Sequence, residues 1–379
     1  MDRDFVLTRH AAIERLQAVA PRLGRAYAAT RNADAGPQAE ATTTGLSPYL
    51  RRRLILEQEV VDAALAAHSP AAAEKFVQEV FWRSYFKGYL ETHPSVWTGY
   101  LEAAAAERER VAANSGLQRA CDAARAGRTG IECFDAWAQE LVETGWLHNH
   151  TRMWFASIWI FTLQLPWVLG AEFFLRHLLD GDPASNTLSW RWVGGLHTRG
   201  KVYAARAENI RRYTSGRFSP TGLNESPAPL VEAEPPSPAP LPQAYGVPTG
   251  DVTLLLHLDD LVPESLALGG ARVVRVAGLL AHAPDASARV QRADRAAMDD
   301  ALARAGKWFG CQAEMATPGW EGELPVVAAW APVGPSAGTL PPGCRLVRRQ
   351  WDELTWPRAT RGYFQVKAAI PSILRALAG

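Results

Sequence analysis

Asp180-Gly-Asp-Pro-Ala-Ser-Asn186-Thr-Leu-Ser-Trp190-Arg-Trp192 is the most informative part of the sequence. It places acids, an amide and indoles at short fixed offsets. A second polar and aromatic stretch, Gly145-Trp-Leu-His-Asn149-His-Thr-Arg152-Met153, comes shortly before it. From Pro48 to about Gly216 apolar residues recur at helical spacing, and β-branched runs are absent. This period predicts a helical domain around both stretches.

The length and charge of the chain limit the number of domains and the kinds of binding partner that can be expected. A chain of 379 residues predicts two domains with a sizeable core. The formal net charge is +1, so any affinity for nucleic acid must come from a local basic patch. The 14 tryptophans are compatible with a packed core, with base stacking and with electron transfer.

The cysteines and the termini indicate a cytoplasmic protein. The 4 cysteines are scattered without a C-x-x-C pair, which is typical of reduced thiols and favours neither a disulfide framework nor a zinc site. The acidic, polar N-terminus does not resemble a signal peptide. Residues 153–174 are the most apolar stretch but contain Gln164, Pro166 and Glu172. We therefore expect a buried core helix there, and no membrane span.

Composition divides the chain into three parts. Residues 1–222 are predicted to be helical, with a helix over 9–30 that breaks near residue 21. Residues 223–250 are rich in Pro, which favours an extended linker. Residues 251–379 alternate apolar strand runs with helical runs, which predicts a small parallel sheet. The predicted strands start at Val252, Ala271, Val326 and Cys344, and the predicted helices cover 292–305 and 363–378.

The motifs of the helical part resemble those of the DNA photolyase and cryptochrome family. There a D-G-D-x-x-x-N run holds the isoalloxazine ring of FAD, and a W-x-W pair follows it. The resemblance covers roughly residues 24–220. It implies a mainly α fold, an all-helical FAD-binding domain followed by the small α/β domain, with FAD as cofactor. Asp180, Asp182 and Asn186 would contact the flavin, and Asn186 would be nearest to N5.

The stretch Thr42-Thr-Thr-Gly-Leu-Ser-Pro-Tyr-Leu50 predicts a helix start, with Ser47 as N-cap and Pro48 at the first helical position. Alone, this is an ordinary capped helix whose hydroxyls and free N–H groups can bind an anion. It resembles the family's T-S-x-L-S-P-Y-L. That resemblance implies that Thr43, Thr44, Leu46 and Ser47 grip the FAD pyrophosphate. Tyr27 matches the tyrosine of an upstream family motif at the flavin site.

Glu79, Trp82 and Arg83 follow i, i+3, i+4 spacing and so share one helix face. They could be a surface acid beside a partly buried indole. The run resembles the family's E-x-x-W-R, which borders the cofactor. It implies that Glu79 contacts a pyrimidine lesion, Trp82 stacks on it and Arg83 lies near phosphate.

Asn149, Arg152 and Met153 share another helix face and resemble part of the family's H-N-R-x-R-M. The alternative is a helix cap with a salt-bridged Arg. The resemblance implies that Asn149 and Met153 line the lesion pocket, bordering the flavin, and that Arg152 pairs with Asp180 near flavin N5. His150 replaces the usual Arg, which predicts a weaker or pH-dependent phosphate contact.

The tryptophans match the family's electron chain in part. By resemblance Trp190 is the indole nearest to the flavin, Trp167 is the next and Trp192 is a second lesion-stacking residue. The usual third member of the chain would fall near Asn114 and is absent. Trp97, Tyr100 and Trp159 are the candidates to replace it.

Basic residues dominate the segment after the W-x-W pair. Such a run is often only a solvated face, but here it would contact DNA phosphates beside the pocket. Arg206-x-x-Asn209 also resembles a family motif near the lesion. The predicted DNA-binding residues are Arg191, Arg199, Lys201, Arg206, Arg211, Arg212 and Arg217.

The resemblance implies an FAD enzyme that repairs cyclobutane pyrimidine dimers in DNA under blue light. A cryptochrome-like photoreceptor and a light-independent nucleic-acid-binding flavoprotein are the alternatives. The family's usual α/β antenna domain does not precede the helical part. We interpret residues 251–379 as its relocated or degenerate counterpart, in which no motif supports an antenna chromophore. No metal site is expected, because His148-x-His150 lacks further clustered ligands.

Overall fold

Helices make up most of the chain. A computed structural model describes residues 5–34, 36, 42–233, 237–283, 285–317, 319–320 and 322–379. In chain order the helices are α1 (Arg9–Val19), α2 (Arg25–Thr30), α3 (Ser47–Arg51), α4 (Glu57–Ala67), α5 (Pro70–Thr92), α6 (Pro94–Ala112), α7 (Ser115–Arg125), α8 (Glu132–Thr144), α9 (Asn149–Ser157), α10 (Trp167–His177), α11 (Pro183–Val193), α12 (Ala207–Tyr213), α13 (Ala288–Phe309), α14 (Gln350–Thr355) and α15 (Tyr363–Leu377). The strands are β1 (Gly250–His257), β2 (Ala271–Leu279), β3 (Gln312–Met315), β4 (Val326–Ala329) and β5 (Arg345–Val347).

The described residues group into two compact units. The first unit takes in described residues of 26–44 and 95–236, and the second takes in those of 5–25, 45–94 and 237–379. Helices α1 and α3–α5 therefore group with the strands, and α6–α12 fall almost entirely in the first unit. The domain boundaries expected at residues 222 and 251 remain a prediction.

The second unit contains the small α/β sheet. Its strands are all parallel, in the order β3-β2-β1-β4-β5. Central β1 is buried from Val252 to His257, and its apolar run is typical of a strand covered on both faces. The mainly α fold with a small parallel sheet is therefore confirmed.

The apolar stretch 153–174 is not one helix, so that prediction was wrong. Helix α9 passes into a π-helical turn at Ile158–Thr162, and the chain then turns at Gln164, whose φ is +54°. Pro166 precedes α10, because a proline cannot continue the hydrogen-bonding pattern of the preceding helix. Among the described residues no helix is long and apolar enough to cross a membrane.

The start of α3 also differs from the prediction. The helix begins at Ser47, with Leu46 as the flanking cap residue and no side-chain hydrogen bond to cap it. Pro48 is therefore the second helical residue and not the first. Such a shift of one residue leaves the expected turn in place but removes Ser47 from the N-cap position.

Candidate functional site

Arg152 and Asp180 form an ion pair in the first unit. Arg152 Nη2 lies 3.0 Å from Asp180 Oδ2, and the Asp180 side chain is 3% exposed. Arg152 Nε donates to the main-chain oxygen of Leu147 over 3.0 Å, which fixes the orientation of the guanidinium. The pair joins α9 to the turn before α11, as the motif resemblance implies.

Asn186 is oriented by a main-chain acceptor on the neighbouring helix. Its Nδ2 donates to the Ala171 oxygen over 2.8 Å, and the side chain is buried. Among the described residues none donates to its Oδ1, which leaves that oxygen as an acceptor. The geometry therefore offers a fixed amide oxygen to a bound donor.

Asp182 caps α11 and holds the segment in place. Its Oδ1 accepts from the Ser185 N–H over 2.8 Å, and Pro183 follows it in the first turn. Further along, Ser185 Oγ, Thr187 Oγ1 and Trp190 Nε1 are buried without a hydrogen-bond partner in the described part of the chain. Such orphaned polar atoms are costly unless a bound group satisfies them. The sequence patterns did not single out Ser185 or Thr187, because lone hydroxyls carry no spacing signal.

A guanidinium, a buried carboxylate and an accepting amide oxygen match the polar groups of FAD along the edge of the isoalloxazine ring. The orphaned atoms on α11 add to this match. The donor set therefore fits FAD. Among the described residues, no three or more of His, Cys, Asp and Glu are grouped so that they could hold a metal ion.

The accessible face of α9 carries the predicted residues. Asn149 is exposed, Arg152 and Met153 are partly buried, and the positions between them point into the core. His150 is one of the buried positions. Its ring stacks on Trp154 with centroids 4.2 Å apart, and its nitrogens lie 3.1 Å from the Asn32 oxygen and 3.0 Å from the Tyr203 hydroxyl.

His150 is therefore a core residue, and the weaker or pH-dependent phosphate contact expected at this position stays a prediction. Burial lowers the pKa of His150 below its ordinary value, so the ring is neutral at pH 7. A neutral, buried ring that is already hydrogen-bonded has no charge to offer a phosphate. The replacement of Arg at this position removes a cation from the surface and adds a core contact.

The residues of the predicted electron-transfer chain and their replacement candidates form two aromatic clusters in the first unit. Trp190 meets Trp159 at a centroid distance of 6.3 Å and an angle of 90°. Trp167 meets Tyr100 at 5.8 Å, and Tyr100 stacks on Trp97 at 5.2 Å. Each candidate for the missing third residue is therefore in aromatic contact with a predicted member of the electron-transfer chain or with another candidate. All three candidates are buried, with exposures of 0% for Trp159, 4% for Tyr100 and 7% for Trp97.

The basic segment divides into paired and exposed residues. Arg191 is buried and lies 2.6 Å from Glu232, while Arg217 lies 3.3 Å from Asp34. These ion pairs engage both guanidinium groups within the protein, and the phosphate contacts expected of Arg191 and Arg217 stay a prediction. Their partners lie far away in sequence, which the local charge pattern could not reveal. The exposed cations are Arg199, Lys201, Arg206, Arg211 and Arg212. Trp192, partly buried, lies 5.6 Å from Tyr203.

In the second unit Glu79, Trp82 and Arg83 lie on α5. Within residues 76–85 they alone are partly accessible, and every other residue of that run is buried. The first-turn residues Leu46 and Ser47 belong to this unit, and Thr43, Thr44 and Tyr27 belong to the first.

Arg15 of α1 is a basic residue that the motif patterns missed. A Cβ added to Gly45 would lie 3.0 Å from Arg15 Nη2, so the guanidinium lies against the glycine just before α3. Gly45 has a φ of +66°, which favours glycine. Because Arg15 precedes Gly45 by a whole helix and a loop, no local motif could have indicated it.

Comparisons with known proteins agree with these features. The family model described as the FAD binding domain of DNA photolyase matches residues 76–221. A deoxyribodipyrimidine photo-lyase of Synechococcus sp. is 30% identical over 255 residues, which are 58% of this chain and 50% of that protein. Cryptochrome-1 of Arabidopsis thaliana is 37% identical over 98 residues, covering 26% of this chain and 14% of that protein.

A bacterial class III photolyase structure from Agrobacterium tumefaciens is similar with a TM-score of 0.44 and 24% identity, covering 55% of this chain and 43% of that one. The chain spans half the length of the Synechococcus protein. The matched region contains α9, α11 and most of α5, and thus most of the residues described above. The chain therefore resembles the DNA photolyase and cryptochrome family over this region, and its cofactor is FAD.

Proposed function

We propose that the protein repairs cyclobutane pyrimidine dimers in DNA with blue light. The observation that carries the proposal is the accessibility pattern of α5. In an otherwise buried run, a carboxylate, an indole and a guanidinium stay accessible at Glu79, Trp82 and Arg83. This set suits a pyrimidine dimer that is flipped out of the duplex, because it combines a plane for base stacking with one polar contact and one phosphate contact.

Reduced FAD, when bound, supplies the light-driven electron for splitting the dimer. The residues of the first unit would hold and orient the cofactor. Arg152 paired with Asp180 would place fixed charge near the ring, and Asn186 Oδ1 would accept from its N5 edge. Thr43, Thr44, Leu46, Ser47 and Tyr27 retain their expected cofactor contacts as part of the proposal.

The lesion contacts follow from the chemistry of each side chain. Glu79 would contact the polar edge of the bases, and Trp82 would stack on a base face. Asn149 and Met153 are accessible on α9 and would border the lesion, and Trp192 would supply the second stacking contact. Arg199, Lys201, Arg206, Arg211 and Arg212 would contact phosphates.

Electrons for reducing the flavin would enter through an altered chain. We propose the order Trp97, Tyr100, Trp167 and Trp190. The support is that Trp97 and Tyr100 stack and Tyr100 meets Trp167. Trp159 touches Trp190 but is 0% exposed, whereas Trp97 keeps 7% exposure, and we therefore place Trp159 on a side branch.

A photoreceptor without repair activity is the second candidate. It is favoured by the loss of phosphate contacts, since His150 is a neutral core residue and Arg191 and Arg217 are engaged in ion pairs. Such a protein would keep FAD and photoreduction and would bind damaged DNA poorly.

Binding in the dark tests the substrate directly. Purified protein with reduced FAD is titrated with an oligonucleotide containing one thymine dimer and with the same sequence undamaged, single- and double-stranded. The repair proposal expects a clear preference for the damaged strand and an affinity that falls steeply with salt. Equal affinity for damaged and undamaged DNA would favour the photoreceptor.

A further inference from the structure

Tyr363, the first residue of α15, covers one face of Trp82. The ring centroids are 3.6 Å apart and the planes differ by 11°, which is a close parallel stack. Tyr363 is buried, and its hydroxyl donates to the Gln78 main-chain oxygen over 2.8 Å. Burial raises the pKa of Tyr363, so the hydroxyl remains a donor at neutral pH. The ring is therefore fixed both by its face and by its hydroxyl.

The C-terminal residues of the chain pack along one side of α5. Trp351 lies 4.6 Å from the Phe81 ring, and its Nε1 donates to Ser84 Oγ over 2.7 Å. A Cβ on Gly88 would come within 2.8 Å of Trp356 Cδ1, so the backbone of α5 touches that indole. One side of the helix is thus packed against residues 351–363.

Trp82 lies at the border of this packed side. Successive residues of a helix turn by about 100°, so positions 78, 81, 85 and 88 cluster on one side, and Glu79 and Arg83 lie on the opposite side. Tyr363 also meets Tyr85 edge-on at 5.8 Å, which places its ring on the packed side of Trp82. Trp82 keeps partial exposure although Tyr363 covers one of its faces.

Other aromatic rings hold the indole at its edges. Tyr85 meets Trp82 at 5.5 Å and an angle of 82°, and Phe86 meets it at 5.4 Å. An unsupported Trp could take up several rotamers, and a stacking partner would then have to select one of them. A fixed ring avoids that loss of conformational entropy on binding.

We infer that Tyr363 is a positioning residue that holds the Trp82 indole rigid from behind, so that its other face is a ready platform for a base. The inference rests on the proposed repair function, because it assigns a role in that reaction to the C-terminal helix. It differs from an occluding contact, in which Tyr363 would take the place of the base. The packing of α15 supports the positioning role, since Tyr363, Val366, Ile370 and Ile373 form one buried stripe.

The test measures the ratio of affinities for dimer-containing and undamaged single-stranded oligonucleotides in the dark. Tyr363→Met keeps the apolar volume but removes the flat ring. We expect the ratio to fall about tenfold, equivalent to about 1.4 kcal/mol. Tyr363→Phe keeps the ring and should restore the ratio to nearly the wild-type value. Phe364→Leu is the matched control, because Phe364 is the next residue on the helix and is 81% exposed.

A double variant separates positioning from general support. In a Trp82→Leu background, Tyr363→Met should cause no further loss of the ratio, because the effect passes through the indole. FAD content and the unfolding midpoint are measured for every variant. If Tyr363→Met does not fold, Tyr363→His, which keeps a smaller flat ring, should show an intermediate loss.

Each other outcome is decisive. If the Met or His variant kept the wild-type ratio of affinities for damaged and undamaged DNA, Tyr363 would have only a structural role. An increased ratio would show that Tyr363 occludes the site for the base. A further loss in the Trp82→Leu background would show that Tyr363 does not act through Trp82. A wild-type protein with no preference for the dimer would instead overturn the proposed function, and this inference with it.

Discussion

Gly170 of α10 leaves no room for a side chain next to Trp190 of α11. A Cβ on residue 170 would lie 2.3 Å from Trp190 Cη2 and 2.9 Å from Trp159 Nε1. This close approach packs the Trp190 ring against α10, which begins at Trp167, one turn before Gly170. The glycine therefore sets the position of the indole that is proposed to be nearest to the flavin.

Gly170→Ala should displace Trp190 and destabilise the protein. Overpacking of this kind costs about 1–3 kcal/mol, and photoreduction of oxidised FAD under blue light should slow markedly. Gly99→Ala on α6 is the control, since a Cβ there meets nothing within 4 Å. The photoreduction rate is measured from the absorbance of FAD during blue-light illumination. Equal rates in both variants would contradict the proposed position of Trp190 next to the flavin.

Tyr100 and Trp97 should carry electrons to the flavin. We expect Trp190→Phe, Trp167→Phe and Trp97→Phe each to slow photoreduction strongly. Tyr100→Phe should also slow it, because phenylalanine keeps the packing but is much harder to oxidise. Trp159→Phe should have a small effect. If Trp159→Phe alone abolished photoreduction, electrons would enter along that branch instead.

Arg15 should help to retain FAD. Its guanidinium lies against Gly45 in the loop that is expected to grip the pyrophosphate. Arg15→Gln should weaken FAD binding by about tenfold, as expected for losing one charge-assisted contact. Arg25→Gln, an exposed cation at the start of α2, is the control. Equilibrium dialysis of the apoprotein with FAD measures both, and identical affinities would remove Arg15 from the site.

Glu91 should make stability fall as pH rises. Burial raises the pKa of this carboxyl to about 7, although Trp330 Nε1 and the Val333 N–H donate to it. The folded protein therefore holds a proton that the unfolded chain has released, so stability is full below about pH 4.5 and declines up to about pH 7. The loss is at most about 3 kcal/mol.

Glu91→Gln should remove this dependence. Urea unfolding of the wild type and the variant at several pH values between 4 and 8 measures the difference in unfolding free energy. We expect the wild type to lose stability relative to the variant as pH increases. A difference that stays constant with pH would mean that Glu91 ionises normally in the folded protein.

The cofactor, the fold class and the resemblance to photolyases could be predicted from the sequence, because they depend on local motifs and on the period of the apolar residues. The failures have physical causes. Residues 153–174 are apolar throughout, and periodicity cannot reveal the π-helical turn at Ile158–Thr162. Strand β3 was missed because Gln312 and Glu314 interrupt its apolar pattern. The partners of Trp82 and Arg191 lie far away in the sequence, beyond the reach of any motif.

The proposed activity can be measured as repair of pyrimidine dimers under blue light. Protein with fully reduced FAD is mixed with a dimer-containing oligonucleotide, and restored thymines are counted after illumination and in the dark. We expect repair in the light alone, a much lower yield for Glu79→Ala with FAD still bound, and a nearly normal yield for the exposed control Glu74→Ala on the same helix. Wild-type protein that holds reduced FAD yet restores no thymines in the light would contradict the repair function and leave the photoreceptor as the better account.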